Sequence, residues 1–188
     1  MALKLRWLFI AAALGAQLCG CNERGVREVL DEETFVSVIS MTPPYNFYRL
    51  RLDDNIEREF LSAGPIERIQ SAERGHYLWV NAWAVRRDGA HETVTLTADI
   101  TLETDRGDLT LKRAATSHRD LDVSKPAYRV IRSGEGEAYY ALSEDDIDAL
   151  RGATITALRF AQQRYALWGD QDTAQQAMQD FILETTGY

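Results

Sequence analysis

Three histidines and one cluster of carboxylates are the side chains of this chain that could support acid–base or metal chemistry. The histidines are His76, His91 and His118. A predicted hairpin turn at Asp88-Gly89 places His76 and His91 roughly 33 Å apart, at about 3.3 Å per strand residue, so they cannot share a metal ion. His118 stands in a polar segment beside Arg119, where we expect a surface side chain. The histidines therefore predict neither a metal site nor a cofactor.

The carboxylates concentrate at Glu144, Asp145, Asp146 and Asp148. Calcium binds such oxygen ligands when they converge in a loop with a glycine-assisted turn. These acids instead occupy the first turns of a predicted helix that begins after Ser143, where negative charge interacts favourably with the helix dipole. We expect them to stabilise the start of a helix and not to bind a metal.

Motifs of known catalytic mechanisms do not occur in the sequence. There is no Gly-x-Ser-x-Gly elbow, no phosphate-binding glycine loop and no His-Glu-x-x-His. We therefore predict that the protein is not an enzyme and assign no catalytic residue. A hydrolase that works with carboxylates alone is an alternative, and it would need two acids about 5 to 10 Å apart in a cleft.

Aromatic residues could line a surface that binds a ligand or a partner. Most of them stand at alternating strand positions, where aromatic side chains usually belong to the core. Trp168, beside Gly169 and Asp170, lies outside the strand and helix patterns, and we expect it to be exposed. With Tyr165 it forms the candidate binding face. A small-molecule or glycan-binding module would require a concave apolar pocket there.

The first residues have the organisation of an export signal. Lys4 and Arg6 precede an apolar stretch that is shorter than the roughly 20 residues needed to span a bilayer. Leu18-Cys19-Gly20-Cys21 then resembles the bacterial lipobox, in which an aliphatic residue, a small residue and Gly or Ala precede the cysteine that becomes lipidated. The resemblance implies cleavage between Gly20 and Cys21 and a diacylglyceryl group on the Cys21 sulfur.

A lipidated Cys21 would define where the protein resides. Two or three acyl chains make a durable membrane anchor. The residues that follow are Asn22 and Glu23, not the aspartate that favours inner-membrane retention in enterobacteria, so we predict the periplasmic face of the outer membrane. Cleavage would leave one cysteine, already bound to lipid, and hence no internal disulfide.

The charge of the chain restricts its partners. The formal net charge is −8, and removal of the signal with Lys4 and Arg6 would make it more negative by two. Such a surface repels nucleic acid. We expect contact with the membrane through the lipid and with another envelope protein through the domain.

The remaining sequence predicts one domain. Residues 1–20 are the signal, 21–33 a charged tether with Val26, Val29 and Leu30 at helical spacing, and 34–188 the domain. The Asp88-Gly89 hairpin, with opposite residues whose numbers sum to 177, would bury only the face of the first strand that carries Tyr77, Trp79, Asn81 and Trp83.

Further strands and helices complete the predicted fold. Turn residues separate strands expected at 35–41, 45–52, 94–102, 109–113, 128–132, 137–142 and, as the last strand, 154–160. A short helix is expected near Ile56 and Phe60, a second after Ser143, and a third after Asp170. The pattern predicts a mainly β protein, an antiparallel β-sandwich of about eight short strands with short helices and a C-terminal helix. A small barrel is the alternative. The favoured function is a membrane-anchored, non-enzymatic module that binds a protein or supports an assembly.

Overall fold

A computed structural model describes residues 25–51, 56–130 and 136–187, and the strands in these residues form one antiparallel sheet. The strands are β1 Gly25–Leu30, β2 Ser37–Thr42, β3 Tyr45–Leu50, β4 Ile56–Gln70, β5 Glu73–Arg86, β6 His91–Thr93, β7 Ile100–Thr104, β8 Gly107–Leu111, β9 Arg113–Ala115, β10 Glu137–Leu142, β11 Ile155–Phe160 and β12 Gln163–Trp168. The helices are a 3-10 helix at His118–Leu121, α1 Glu144–Leu150 and α2 Gln171–Thr186. The predicted mainly antiparallel β fold with a C-terminal helix is confirmed.

The order of the strands gives a sheet that nearly closes on itself. Neighbours run β8-β7-β11-β12-β3-β4-β5-β10-β9, and the two end strands, β8 and β9, are separated in the chain by Lys112 alone. The Lys112 carbonyl accepts a hydrogen bond of 3.0 Å from the N–H of Ala141 in β10. One extended stretch therefore pairs with β7 along its first half and with β10 along its second. The predicted sandwich and its barrel alternative converge on this curved sheet, whose inner face encloses the main core.

The hairpin of β4 and β5 is the longest pairing in the sheet. It runs from Ile56 opposite Arg86 to Gln70 opposite Glu73. The short helix predicted near Ile56 and Phe60 is therefore wrong. Pro65 is tolerated within β4 because it lies where the strand changes partner, after the last pair with β3 and before the first pair with β2. Its missing N–H removes no ladder hydrogen bond there.

The strand that follows the Asp88-Gly89 turn is much shorter than predicted. The turn itself is present, but β6 pairs with β5 over three residues, with Trp83 opposite Thr93, so opposite residue numbers sum to 176 and not 177. The length of β5 that was assigned to this hairpin instead pairs with β10. Both faces of β5 are consequently buried, and the prediction of a single core face is wrong.

Other differences concern segments at the edges of the predicted elements. Residues 25–30 form β1, paired with β2, so the helical spacing inferred within the tether is wrong there. The predicted last strand is followed by β12, which forms a hairpin with β11. Tyr128 to Val130 are not in a strand, and the rest of that predicted strand lies outside the described residues.

Helix α2 covers the main core beside β1 and β2. The apolar side chains that it buries are Ala174, Ala177, Met178, Phe181 and Ile182. The Asp170 side chain caps its first turn by accepting a hydrogen bond from the Thr173 N–H (3.1 Å), as predicted. Ser143 and Asp146 form the capping box that begins α1. Both helix starts are therefore set by local side chains.

A second, smaller apolar cluster lies on the outer face of the sheet. It contains Trp79, Tyr128 and Tyr139, with Val36, Ile66 and Leu121 among its other members. The rings of Trp79 and Tyr128 stack with centroids 4.7 Å apart. The Tyr128 hydroxyl donates to the Pro65 carbonyl (2.7 Å) and accepts from the Met41 N–H (3.2 Å). These bonds attach the segment after β9 to the sheet.

Gly64 permits this attachment, and replacing it tests the packing. A Cβ at position 64 would lie 2.4 Å from the Tyr128 hydroxyl oxygen. Because both hydrogen bonds and the Trp79 stack hold the ring, we expect Gly64→Ala to lower the free energy of unfolding by about 2 kcal/mol in urea denaturation. In a Tyr128→Ala background the same change should cost almost nothing. An equal cost in both backgrounds would contradict this account.

Candidate functional site

An aromatic row on the outer face of the sheet is the first candidate site, and we define it as Phe60, Trp83 and Trp168. The rings of Phe60 and Trp83 stack with centroids 5.5 Å apart and planes at 14°. Trp168 lies against the other side of Phe60, also at 5.5 Å, with its plane tilted by 54°. Trp83 is buried, whereas Trp168 is 55% exposed. The row thus leads from the sheet surface into solvent.

The alternation of strand residues places this row outside the core. Leu61 and Ala63 of β4 point into the main core, so Phe60 and Ser62 point outward. Trp168, the last residue of β12, lies opposite Asn46, which in turn lies opposite Ser62. The Ser62 hydroxyl donates to the Asn46 side-chain oxygen at 2.6 Å. Polar groups therefore border the aromatic rings on one side, as at the rim of many interfaces.

The two aromatic residues predicted to share a binding face lie on opposite faces of β12. Trp168 is exposed, as expected. Tyr165 is buried in the main core, and its hydroxyl donates to Glu59 at 2.8 Å. Tyr165 therefore cannot contact a partner together with Trp168. Phe60 and Trp83 take its place in the row; sequence reasoning missed them because one was assigned to a helix and the other to the core.

Glu59 is a buried carboxylate whose oxygens are fully used at one end of the curved sheet. One oxygen accepts from Arg49 Nε (2.6 Å) and from Tyr165, and the other from Arg51 Nη1 (2.7 Å). The Arg49 guanidinium also lies 5.5 Å from the centre of the Tyr165 ring. Burial raises the pKa of Glu59, but the hydrogen bonds from Arg49, Tyr165 and Arg51 outweigh it and hold that pKa below its usual value. The arrangement stabilises the fold.

Glu67 is a buried carboxylate with the opposite balance, near the other end of β4. It lies opposite His76 in the hairpin, and its Oε1 is 3.1 Å from Arg74 Nη1 and 3.3 Å from His76 Nε2. Glu67 Oε2 and His76 Nε2 have no hydrogen-bond partner in the described part of the chain. Burial raises the pKa of Glu67 against the opposing charge of Arg74, and burial together with that charge lowers the pKa of His76.

A cleft of about 750 Å³ opens beside this pair. It lies between the start of β5, the end of β10, α1 and the end of α2. Its lining includes His76, Glu144, Asp148 and Arg151. Glu144 and Asp148 are one turn apart on α1, and both are exposed. The cleft brings acids and bases together, but its two exposed acids lie on one side of it.

His118 forms a second contact between a histidine and a buried glutamate. Its Nδ1 lies 3.5 Å from Glu137 Oε2, and Glu137 Oε1 accepts hydrogen bonds from Trp79 Nε1 (3.2 Å) and the Tyr139 hydroxyl (2.6 Å). His118 is more buried than the surface position expected from sequence. Because Glu137 and His118 are far apart in the chain, no local sequence pattern could have revealed the pair.

The structure gives no group of three or more histidine, cysteine, aspartate or glutamate side chains that could hold a metal, within residues 25–51, 56–130 and 136–187. In the same ranges, none of the helices is both long and apolar enough to cross a membrane. Gly20 and Cys21, the predicted cleavage and lipid-attachment residues, lie outside the described residues.

Comparisons with known proteins return no relative. The chain matches no protein-family model, no curated protein and no solved structure.

The Glu59 network predicts a structural role for Tyr165. We expect Tyr165→Phe to lower the free energy of unfolding by about 2 kcal/mol at neutral pH, because it removes a donor from a buried carboxylate. The pKa of Glu59 is lowered on folding, so its contribution is present above its unfolded value of 4.5 and is lost as the pH falls through the folded value. The difference between variant and wild type should therefore shrink in acid urea titrations. Tyr48→Phe is the control, and an equal loss there would contradict the assignment.

Glu67 predicts the opposite pH dependence. Because its pKa is raised on folding, its favourable contribution is complete below the unfolded value of 4.5 and is lost as the pH rises through the folded value. The glutamine of Glu67→Gln cannot ionise. The free energy of unfolding of this variant should therefore increase relative to that of wild type as the pH increases from 4.5. Urea titrations across this range measure the gain. The exposed Glu73→Gln should run parallel to wild type, and a parallel course for Glu67→Gln would refute the prediction.

Proposed function

We propose that this protein is a lipid-anchored lipoprotein of the bacterial envelope whose β domain binds another envelope protein through the aromatic row. The lipobox-like Leu18-Cys19-Gly20-Cys21 supports the anchor. The observation that carries the binding role is the exposure of Trp168 at the end of the stack with Phe60 and Trp83. Its partner is a folded protein or an assembly component, and no cofactor is needed.

The chemistry of the row supports a protein as the partner. Tryptophan, tyrosine and phenylalanine are enriched at protein interfaces, and tryptophan is prominent among the residues that dominate binding energy. Phe60 holds Trp168 from one side, so little conformational freedom remains for it to lose on binding. Tyr48 and Leu50, opposite Phe60 and Arg58, extend the same face of β3. Together they offer an apolar centre with polar neighbours.

The other two functions have weaker support. A small molecule or glycan needs a concave pocket, whereas the row lies on the outer, convex face of a nearly closed sheet. A carboxylate hydrolase needs two acids that flank the scissile bond, whereas Glu144 and Asp148 project from one helix into the cleft. The outer face therefore favours protein binding over both alternatives.

The anchor would keep the domain close to the bilayer. β1 begins at Gly25, four residues after Cys21. An extended chain of that length reaches at most ~14 Å. The domain would therefore meet partners embedded in the same membrane or lying at its periplasmic surface. Asn22 and Glu23 after the cysteine favour the outer membrane.

Crosslinking in intact envelopes, followed by purification of the full chain, tests this proposal. Wild type should capture a specific envelope protein, and Trp168→Ala should reduce that capture by about tenfold or more. Leu183→Ala is the matched control, because Leu183 on α2 is 52% exposed and remote from the row. Cys21→Ala should move the protein out of the membrane fraction. Equal capture by wild type and Trp168→Ala would refute the binding face, and unchanged fractionation of Cys21→Ala would refute the anchor.

A further inference from the structure

β1 is an edge strand whose outer side is open. It pairs with β2 and with no other strand among the described residues. The residues from Arg27 to Leu30 are all exposed, and Val29 is 43% exposed. Such an edge presents backbone N–H and C=O groups that can pair with a further strand. Closed sheets have no free edges, whereas β1, like the three-residue β6, pairs with one strand only among the described residues.

A groove of about 450 Å³ runs beside this edge on the outer face of β1 and β2. Arg27 and Val29 line it from β1, Val38 and Ser40 line it from β2, and the segment 123–127 forms the facing wall. Asp31 holds that wall in place, since its carboxylate accepts a hydrogen bond of 2.8 Å from the Ser124 hydroxyl. The groove is therefore built by tertiary contacts and is continuous with the open edge.

The turn after β1 adds exposed apolar surface to the same end. Leu30 is exposed, and Phe35 is 76% exposed. Phe35 also has a φ of 57°, a left-handed conformation that is unfavourable for a residue with a Cβ. The Phe35 N–H donates to the Asp31 carbonyl (2.8 Å), and the Asp31 N–H donates to the Val36 carbonyl (2.8 Å). These bonds hold an aromatic side chain where most of its surface is exposed.

We propose that β1 and its groove bind an extended peptide segment of another protein, which adds to the sheet as a strand. The unpaired backbone of the edge sets the chemistry of the occupant, because only an extended polypeptide offers donors and acceptors at the matching repeat. Its alternate side chains enter the groove. The residue opposite Val29 is apolar and the one opposite Arg27 is acidic, because cross-strand neighbours on one face must be compatible.

A second copy of this chain is a poorer occupant of the edge. Two β1 strands related by a two-fold axis in one sheet pair residues whose numbers have an even sum. Centred registers then place Arg27 opposite Arg27 or Glu28 opposite Glu28. Like charges directly opposite are destabilising. The register centred on Val29 would instead pair Arg27 with Asp31, but the Asp31 carboxylate is already bonded to Ser124. The charge pattern of β1 therefore favours a different polypeptide.

The test uses the full chain, purified in mild detergent, and a phage-displayed library of random decapeptides. Selection on wild type should enrich peptides with an apolar and an acidic residue two positions apart. Fluorescence anisotropy should then show affinity reduced about tenfold or more by Val29→Lys and unchanged by Leu183→Lys. N-methylation of successive peptide amides should abolish binding at every second residue, the pattern that strand addition requires.

Each other outcome overturns the proposal. No enrichment, N-methyl sensitivity without a two-residue period, or equal losses from Val29→Lys and Leu183→Lys would exclude strand addition at β1. Dimerisation in sedimentation that Val29→Lys abolishes would assign the edge to a second copy. Trp168→Ala should leave peptide binding unchanged, so failure of the aromatic row and failure of this edge are separate results.

Discussion

The pairing of β4 with β5 is the constraint on which the rest of the structure depends. These strands pair over nearly their whole lengths, and each changes its second neighbour along the way. β4 pairs first with β3 and then with β2, and β5 pairs first with β10 and then with β6. Every other part of the sheet is attached to this hairpin directly or through one of those four strands. A slip of one residue in its register would turn each core side chain to the outside.

The same hairpin places one buried glutamate near each end of the interior, and their surroundings differ. Glu59 is surrounded by Arg49, Arg51 and Tyr165, whose hydrogen bonds offset the cost of removing its charge from water. Glu67 has one arginine and a histidine whose pKa is lowered by burial and by Arg74, and one of its oxygens has no partner among the described residues. The hydrogen bonds of Glu59 therefore stabilise the end of the interior where it lies. At the end where Glu67 lies, beside the cleft, Glu67 Oε2 and His76 Nε2 have no hydrogen-bond partner among the described residues.

Local signals in the sequence predicted the elements that depend on local contacts. The starts of α1 and α2 follow from Ser143, Asp146 and Asp170, and the Asp88-Gly89 turn formed where expected. The exposure of Trp168 could be predicted, although the residue belongs to β12 and not to a segment outside the strands. Pairings between distant segments, such as β5 with β10, have no local signal. Because a helix was predicted near Phe60, neither the β4–β5 hairpin nor the contact of Phe60 with Trp168 could be predicted.

The fold also brings together side chains of the candidate sites whose proximity could not be predicted from the sequence. Glu67 meets His76 only because the two strands are in register, and that register could not be predicted when a short helix was expected near Ile56 and Phe60. The Glu137 contact with His118 depends on the segment after β9 folding back over the sheet. The open edge of β1 was hidden because its residues were assigned to a tether. Side-chain chemistry could be read from the sequence, but proximity required the fold.

The outer face of the β4–β5 hairpin carries two aromatic groups. One is covered by the chain itself, and the other ends in the exposed Trp168. Along β4 and β5, Gly64 and Trp79 are covered by Tyr128, whereas Phe60 and Trp83, four residues away along their strands, stack on each other, and Trp168 lies against Phe60. Tyr128, in the segment after β9, covers Gly64 and Trp79 because its hydroxyl is hydrogen-bonded to Pro65 and Met41. A half-exposed tryptophan on the second pair adds less to stability than a buried one, since its outer surface remains in water. Under the proposed function, this surface becomes buried when the domain binds another envelope protein.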